Sequence, residues 1–317
     1  MSPARYPEVD LSTMVGSVAL PNPVLTASGT AGHGAELAPY LDLAALGAVV
    51  VKSLSPEAWA GNPALRVHET TGGMINSVGL QGPGVEAWLR DDLPPLLATG
   101  ARVVASIWGR SVAEYEAAAQ ALADAPEGVI AVEVNLSCPN TESGRDLFAH
   151  SVTATADAIA ATAACRRPRW AKLSPNVTDL VPIAAAAQAA GAEAVTLVNT
   201  VLGMAIDPET GAYRLGSGSR GGGLSGPAIH PVAVRAVHDV HAALPDLAII
   251  GVGGVSNGAD AAELLLAGAR AIQVGTATFA DPRAPARVLR ELLAWAHRTR
   301  RPRMHDIVGA AHERTTP

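Results

Sequence analysis

Eight short apolar runs, seven of them ending in polar or glycine residues, constrain the fold of this chain more than any other feature. The runs are Pro23–Ala27, Ala48–Val51, Arg102–Ile107, Val129–Leu136, Trp170–Leu173, Ala194–Val198, Leu247–Val252 and Ala271–Val274. They are rich in β-branched residues and nearly continuous in apolar character, the pattern of strands buried on both faces of a parallel sheet. Between them lie Ala- and Leu-rich segments with polar residues at helical spacing: Val112–Ala125, Val152–Ala164, Val177–Ala190, Ile229–Ala243 and Ala259–Ala267. Eight β-then-α repeats in about 300 residues predict a closed (β/α)8 TIM barrel, α/β in class, rather than an open sheet. It is expected as a single domain over residues 1–317.

A barrel of this kind builds its site where the βα-loops converge, at the C-terminal ends of the strands. Seven of the eight runs end in polar or glycine residues there. Strand one ends in Ser28-Gly29-Thr30, strand two in Lys52-Ser53, and strand four in Asn135 through Asn140. Strand five ends in Lys172 and Ser174-Pro175-Asn176, strand six in Asn199-Thr200. Strand seven ends in Gly253-Gly254 and strand eight in Gly275-Thr276. One shared site is the economical reading.

The two glycine turns sit where barrels hold phosphate groups on backbone N–H donors, although tight βα turns without a ligand would need the same residues. Lys52 and Lys172 each end an apolar run, and a lysine at a barrel mouth requires an anionic partner. That partner is either the electron-rich edge of a flavin or a structural carboxylate. Asn76, in the long segment after strand two, joins Asn135 and Asn199 as amides suited to a planar heterocycle with carbonyls. Cys138, between Ser137 and Pro139 on the strand-four loop, is the candidate base; Ser137 is its rival, but a thiol ionises far more readily than a hydroxyl. Cys165, in an Ala-rich helical stretch, reads as inert packing. Gly216-Ser217-Gly218-Ser219-Arg220-Gly221 matches G-x-G-x-x-G but follows no strand and opens no helix, so it reads as a flexible lid.

Composition narrows the classes. The chain is 49% hydrophobic with a net charge of -6 and no basic stripe, which argues against nucleic acid. No apolar stretch is long enough for a membrane span, and residues 1–20 lack the pattern of a secretory signal. The two cysteines form neither a disulfide framework nor a metal-ligand spacing, so a reduced, cytoplasmic, metal-free protein is expected.

Over about residues 10–285 the chain resembles class 1 dihydroorotate dehydrogenases, more closely the B subtype. The resemblance rests on Asn22 to Thr30, Gly61-Asn62-Pro63, Gly72 to Leu80, Asn135 to Asn140, Lys172 to Asp179, Asn199 to Met204, Gly223 to Ala228 and the two glycine turns. It implies FMN held by Ser28, Lys52, Ser53, Asn135, Lys172, Val198, Gly226, Gly253, Gly254, Gly275 and Thr276. It implies dihydroorotate held by Lys52, Asn76, Ser77, Val78, Gly79, Leu80, Asn135, Asn199 and Thr200. Cys138 occupies the family's base position, taking the C5 proton while the C6 hydride passes to flavin N5. A homodimer is implied, and in the B subtype a second subunit carrying FAD and an iron–sulfur cluster. This chain has no cysteine cluster for such a centre.

Three departures stand out. Ser106 replaces the family's strand-three Asn, which removes one amide from the flavin's expected surroundings; Thr141 to Asp146 is more polar than the family loop; and Arg214 to Gly223 is longer and richer in glycine. They keep open an alternative, a paralogous FMN barrel oxidoreductase acting on another dihydropyrimidine-like ring.

Overall fold

The computed structural model of the protein describes residues 6–138 and 147–313. Eight parallel strands form its centre: β1 (Val24–Thr26), β2 (Val49–Val50), β3 (Val103–Ile107), β4 (Val129–Asn135), β5 (Arg169–Lys172), β6 (Ala194–Leu197), β7 (Ala248–Val252) and β8 (Ala271–Val274). Each falls on its sequence-predicted run to within a residue or two. Their hydrogen-bonded order, β1-β8-β7-β6-β5-β4-β3-β2, steps through the chain one strand at a time.

The ring closes where Leu25 bridges Ala48 and the Thr26 N–H donates to the Ala48 carbonyl at 3.3 Å. Strand β2 is only two residues long, and the Thr26 side chain reinforces it. Its hydroxyl donates to the Val50 carbonyl (3.2 Å) and accepts from the Val50 N–H (2.9 Å). The result is a closed (β/α)8 barrel with no free sheet edge in its wall.

Inside the barrel, Ala48, Ala131, Ala194, Ala248 and Ala271 pack in one cluster with the fully buried Trp170. Small residues on the neighbouring strands leave the volume that a single indole fills. Val15, Val18 and Leu20 join this cluster from an antiparallel hairpin, Thr13–Val15 with Val18–Leu20. The Ser17 N–H at its turn donates to Glu193, just before β6, at 2.8 Å. The hairpin therefore plugs the N-terminal end of the barrel and leaves the opposite end for the site.

Helices α1 (Val112–Ala121), α2 (Val152–Ala161), α3 (Val181–Ala189), α4 (His230–Ala243), α5 (Gly258–Leu266) and α6 (Ala284–Arg298) pack around the strands. Helix α3 begins four residues later than the spacing predicts, because the Asp179 carboxylate accepts from the Val181 N–H (3.0 Å) and Pro182 occupies the first turn. The first crossover departs further from a regular repeat. It holds a 3-10 turn, Leu43–Ala45, in place of an α-helix, consistent with Gly29, Gly32, Gly34 and Pro39 in its sequence.

A second sheet lies across the C-terminal end of the barrel. Four antiparallel strands run in the order Val201–Gly203, Gly222–Ser225, Gly73–Asn76, Val67–Thr70. The glycine segment read from sequence as a flexible lid is instead the turn that feeds this roof. Gly216 N–H donates to the Leu65 carbonyl at 2.6 Å, the Ser217 hydroxyl donates to the Gly221 carbonyl at 2.5 Å, and Gly222 enters the sheet. Among the described residues no helix is long and apolar enough to cross a membrane.

Candidate active site

A cavity of about 600 Å3 opens between the strand ends and the roof. Ser28, Lys52, Ser53, Lys172, Val198, Gly253, Gly254, Gly275 and Thr276 line it from the barrel. Asn76, Ser77, Val78, Gly79, Leu80 and Gly226 line it from the roof, and Asn135, Asn199 and Thr200 from the ends of β4 and β6. Every residue assigned from sequence to cofactor or substrate thus borders one chamber. Pro139, Asn140 and Thr141 to Asp146, singled out from the sequence, lie outside the described residues.

Cys138 is placed differently. It is fully buried and is not among the residues that line the cavity. Its Sγ turns instead to the Asn135 carbonyl at 3.4 Å, which also accepts from the Tyr115 hydroxyl at 2.6 Å. Burial pushes the Cys138 thiol up to about 12, while the neighbouring Tyr115 hydroxyl and Lys52 ammonium pull it back down. Ser137 does line the cavity, although its Oγ is buried without a hydrogen-bond partner among the described residues.

The two lysines have different surroundings. The Lys172 ammonium lies 3.4 Å from Glu133 Oε1, 3.3 Å from Gln273 Oε1 and 3.2 Å from Ser28 Oγ. The structural-carboxylate reading of Lys172 is the one seen, and its ammonium still borders the chamber. The Lys52 ammonium makes no ion pair or hydrogen bond among the described residues, and burial holds its pKa below the usual lysine value. A half-buried ammonium without a counter-charge at a cavity is matched to an anionic ligand.

At the glycine end, Gly253 and Gly254 have φ of +139° and +69°. A Cβ on Gly254 would stand 2.7 Å from His230 Cβ and 2.9 Å from the Gly226 carbonyl oxygen. Packing of α4 against this turn imposes glycine, and the same bareness leaves the backbone open to the cavity. The Thr276 hydroxyl donates to the Ser225 Oγ at 2.8 Å, tying β8 to the roof.

The roof loop from Asn76 to Leu80 is braced by two further residues of the chamber lining. Asn62 donates to the Ser77 carbonyl (3.2 Å) and Ser77 Oγ (2.8 Å), and Trp59 Nε1 donates to the Gly79 carbonyl (3.0 Å). Sequence reasoning missed Trp59, Trp108, Arg110, Arg220 and Phe279 as lining residues. Trp108 and Arg110 directly follow the third apolar run, a position that barrel geometry marks as functional. Ser106, read as a lost flavin contact, does not line the cavity. It lies fully buried beneath the floor, bonded to Ser53 (2.8 Å) and facing Glu133 Oε1 at 3.5 Å.

A closed parallel barrel with a roofed chamber at its strand ends defines an α/β-barrel enzyme. The sequence of the dihydroorotate dehydrogenase family matches residues 10–295, and the chain belongs to that family. It is 48% identical over 306 residues to the catalytic subunit of dihydroorotate dehydrogenase B (NAD(+)) from Desulforudis audaxviator, covering 96% of this chain and 98% of that protein. The corresponding subunit of a Geobacter species (strain M21) is 46% identical over 284 residues, covering 89% and 92%. A protein of Solibacter usitatus, provisionally named dihydroorotate dehydrogenase A (fumarate), is 45% identical over 300 residues, covering 94% and 97%.

Proposed function

We propose that this protein is the catalytic subunit of a flavin-dependent dihydroorotate dehydrogenase, which oxidises dihydroorotate to orotate in pyrimidine biosynthesis. The observation that carries the reading is the chamber itself. It brings Lys52, Asn76, Asn135, Asn199 and both glycine turns to one cavity in a chain 48% identical to such a subunit over nearly its whole length. That identity favours dihydroorotate over another dihydropyrimidine-like ring.

The cofactor is FMN, and the residues present fit it. The chamber has the volume for a flavin and a small ring, the glycine turns expose backbone at one end, and Lys52 is an uncompensated cation in its lining. Ser28, Lys52, Ser53, Asn135, Lys172, Val198, Gly226, Gly253, Gly254, Gly275 and Thr276 would hold it. When bound, the flavin supplies the acceptor for the hydride that leaves C6 of dihydroorotate.

The chain's own part is binding, orientation and the proton. Asn76, Asn135 and Asn199 offer amide groups to the substrate's carbonyls, with Ser77, Val78, Gly79, Leu80 and Thr200 closing around it. The Lys52 ammonium balances the charge of the bound anions. Cys138 is the base that removes the C5 proton. To act, its thiol must turn from the Asn135 carbonyl toward the chamber, where Lys52 favours the thiolate.

One barrel domain forms a homodimer in the cytoplasm and passes its electrons through a second, FAD- and iron–sulfur-bearing subunit. The relatives' description as catalytic subunits supports the partner. The test is anaerobic mixing with dihydroorotate while flavin absorbance is followed. Rapid bleaching is expected; a yellow protein that stays oxidised would overturn the substrate.

A further inference from the structure

We infer that Glu133, buried beneath the chamber floor, is a positioning residue for both halves of the site, holding Asn135 through Ser106 and Ser53 and Lys172 directly; this rests on the dihydroorotate reading. Glu133 sits in the interior of β4, two residues before Asn135, so both side chains leave the same face of the strand. It is fully buried and so requires compensation from every side.

That compensation is complete. Oε1 faces the Lys172 ammonium (3.4 Å) and the Ser106 hydroxyl (3.5 Å), while Oε2 accepts from Thr196 Oγ1 (3.2 Å) and Gln273 Nε2 (2.6 Å). Gln273 closes the circuit by accepting from Lys172 at 3.3 Å. The Lys172 ammonium is thereby fixed from below and reaches Ser28 at the cavity floor.

The second arm has a direction. The Ser137 backbone N–H, which can only donate, lies 3.2 Å from Asn135 Oδ1. The other end of that amide, Nδ2, therefore faces Ser53 Oγ (3.2 Å) as a donor. Ser53 then passes its own hydrogen to Ser106 (2.8 Å), and Ser106 passes its hydrogen to the carboxylate. Each donor in this series points toward Glu133, which can only accept while ionised. Asn135 Oδ1 also accepts from Asn199 Nδ2 (3.1 Å), and Asn199 Oδ1 from the Thr200 N–H (2.8 Å). Both asparagines consequently keep one amide N–H for the chamber, and the site presents donors to a ligand rich in carbonyl and carboxylate oxygens.

Ser106→Ala cuts the asparagine arm and leaves the lysine arm intact, so it is the informative variant. In the FMN-loaded protein, calorimetry should show the Kd for orotate rising about tenfold. KM for dihydroorotate should rise with it, while the flavin midpoint potential, which the intact lysine arm governs, stays at its parental value. Glu133→Gln acts on both arms: it should weaken orotate binding comparably and also lower FMN affinity and shift the flavin midpoint potential. Ser106→Ala binding orotate with the parental Kd would overturn the asparagine arm, and Glu133→Gln with parental FMN affinity and potential would overturn the lysine arm. A parental protein that binds no orotate would instead remove the function on which the inference rests.

Discussion

Inside the barrel the Lys172 ammonium and the Glu133 carboxylate lie 3.4 Å apart, with side chains 5% and 0% exposed. The two residues are not equivalent, because Lys172 borders the chamber and Glu133 does not. Removing Lys172 strands a carboxylate with no route to water, whereas removing Glu133 leaves an ammonium that water in the chamber reaches.

Lys172→Met should therefore destabilise the fold by about 3–5 kcal/mol, and Glu133→Leu by clearly less. The double variant should recover much of the loss, since no unpaired charge remains. Urea unfolding of the three variants measures this directly. Equal losses in the two single variants would show that the chamber gives Lys172 no access to solvent.

The position of Cys138 sets the pH dependence of the proposed reaction. Burial raises the thiol to about 12, so it is protonated at neutral pH and the thiolate fraction grows as pH rises. Flavin reduction by dihydroorotate should accelerate through pH 7–9, as read by anaerobic stopped flow. Cys138→Ala should lose several orders of magnitude in rate and remain yellow, with Cys138→Ser between the two. A rate already level at pH 7 would show a base with a much lower pKa than this thiol.

The barrel was legible in the sequence because strands buried on both faces leave nearly unbroken apolar runs, as in Ala248–Val252 and Ala271–Val274. The roof was not. Its strands are three or four residues long and half-exposed, and three of the four carry glycine, as in Gly222–Ser225 and Gly73–Asn76, so they show no apolar run. Strand ends drew attention to Asn135 and Lys172, but the residues that hold them, Glu133 and Gln273, lie inside apolar runs. The signal was present for Glu133: a lone carboxylate two residues before a mouth-facing asparagine shares its face and needs a buried cation. Cys138 was legible as chemistry but not as geometry, since nothing in Ser137-Cys138 says which of the two side chains the loop turns toward the chamber.

Gly254 offers a test of the glycine end. With φ at +69° and backbone within 2.9 Å of where a Cβ would stand, alanine has to displace either α4 or the Gly226 segment. Gly254→Ala should cost about 1–3 kcal/mol in stability and loosen the cofactor. Flavin absorbance after extended dialysis reports the second effect. Full flavin retention in a folded Gly254→Ala protein would place the phosphate elsewhere.

Trp59 separates support of the substrate loop from support of the cofactor. Its Nε1 donates to the Gly79 carbonyl at 3.0 Å, its backbone pairs with Gly82, and the Arg110 guanidinium stacks on its ring at 4.5 Å. Trp59→Phe keeps the stacked ring and removes only the indole N–H, a loss of about 1 kcal/mol in loop support. Trp59→Leu removes the ring as well, and with it the cation–π contact. KM for dihydroorotate should rise about fivefold in the first variant and further in the second, with flavin content unchanged in both. If Trp59→Phe leaves KM at the parental value, Asn62 and the Arg66 carbonyl, which accepts from the Ser77 N–H at 2.8 Å, hold the loop without the indole N–H, and Trp59 serves the chamber through its face toward Arg110.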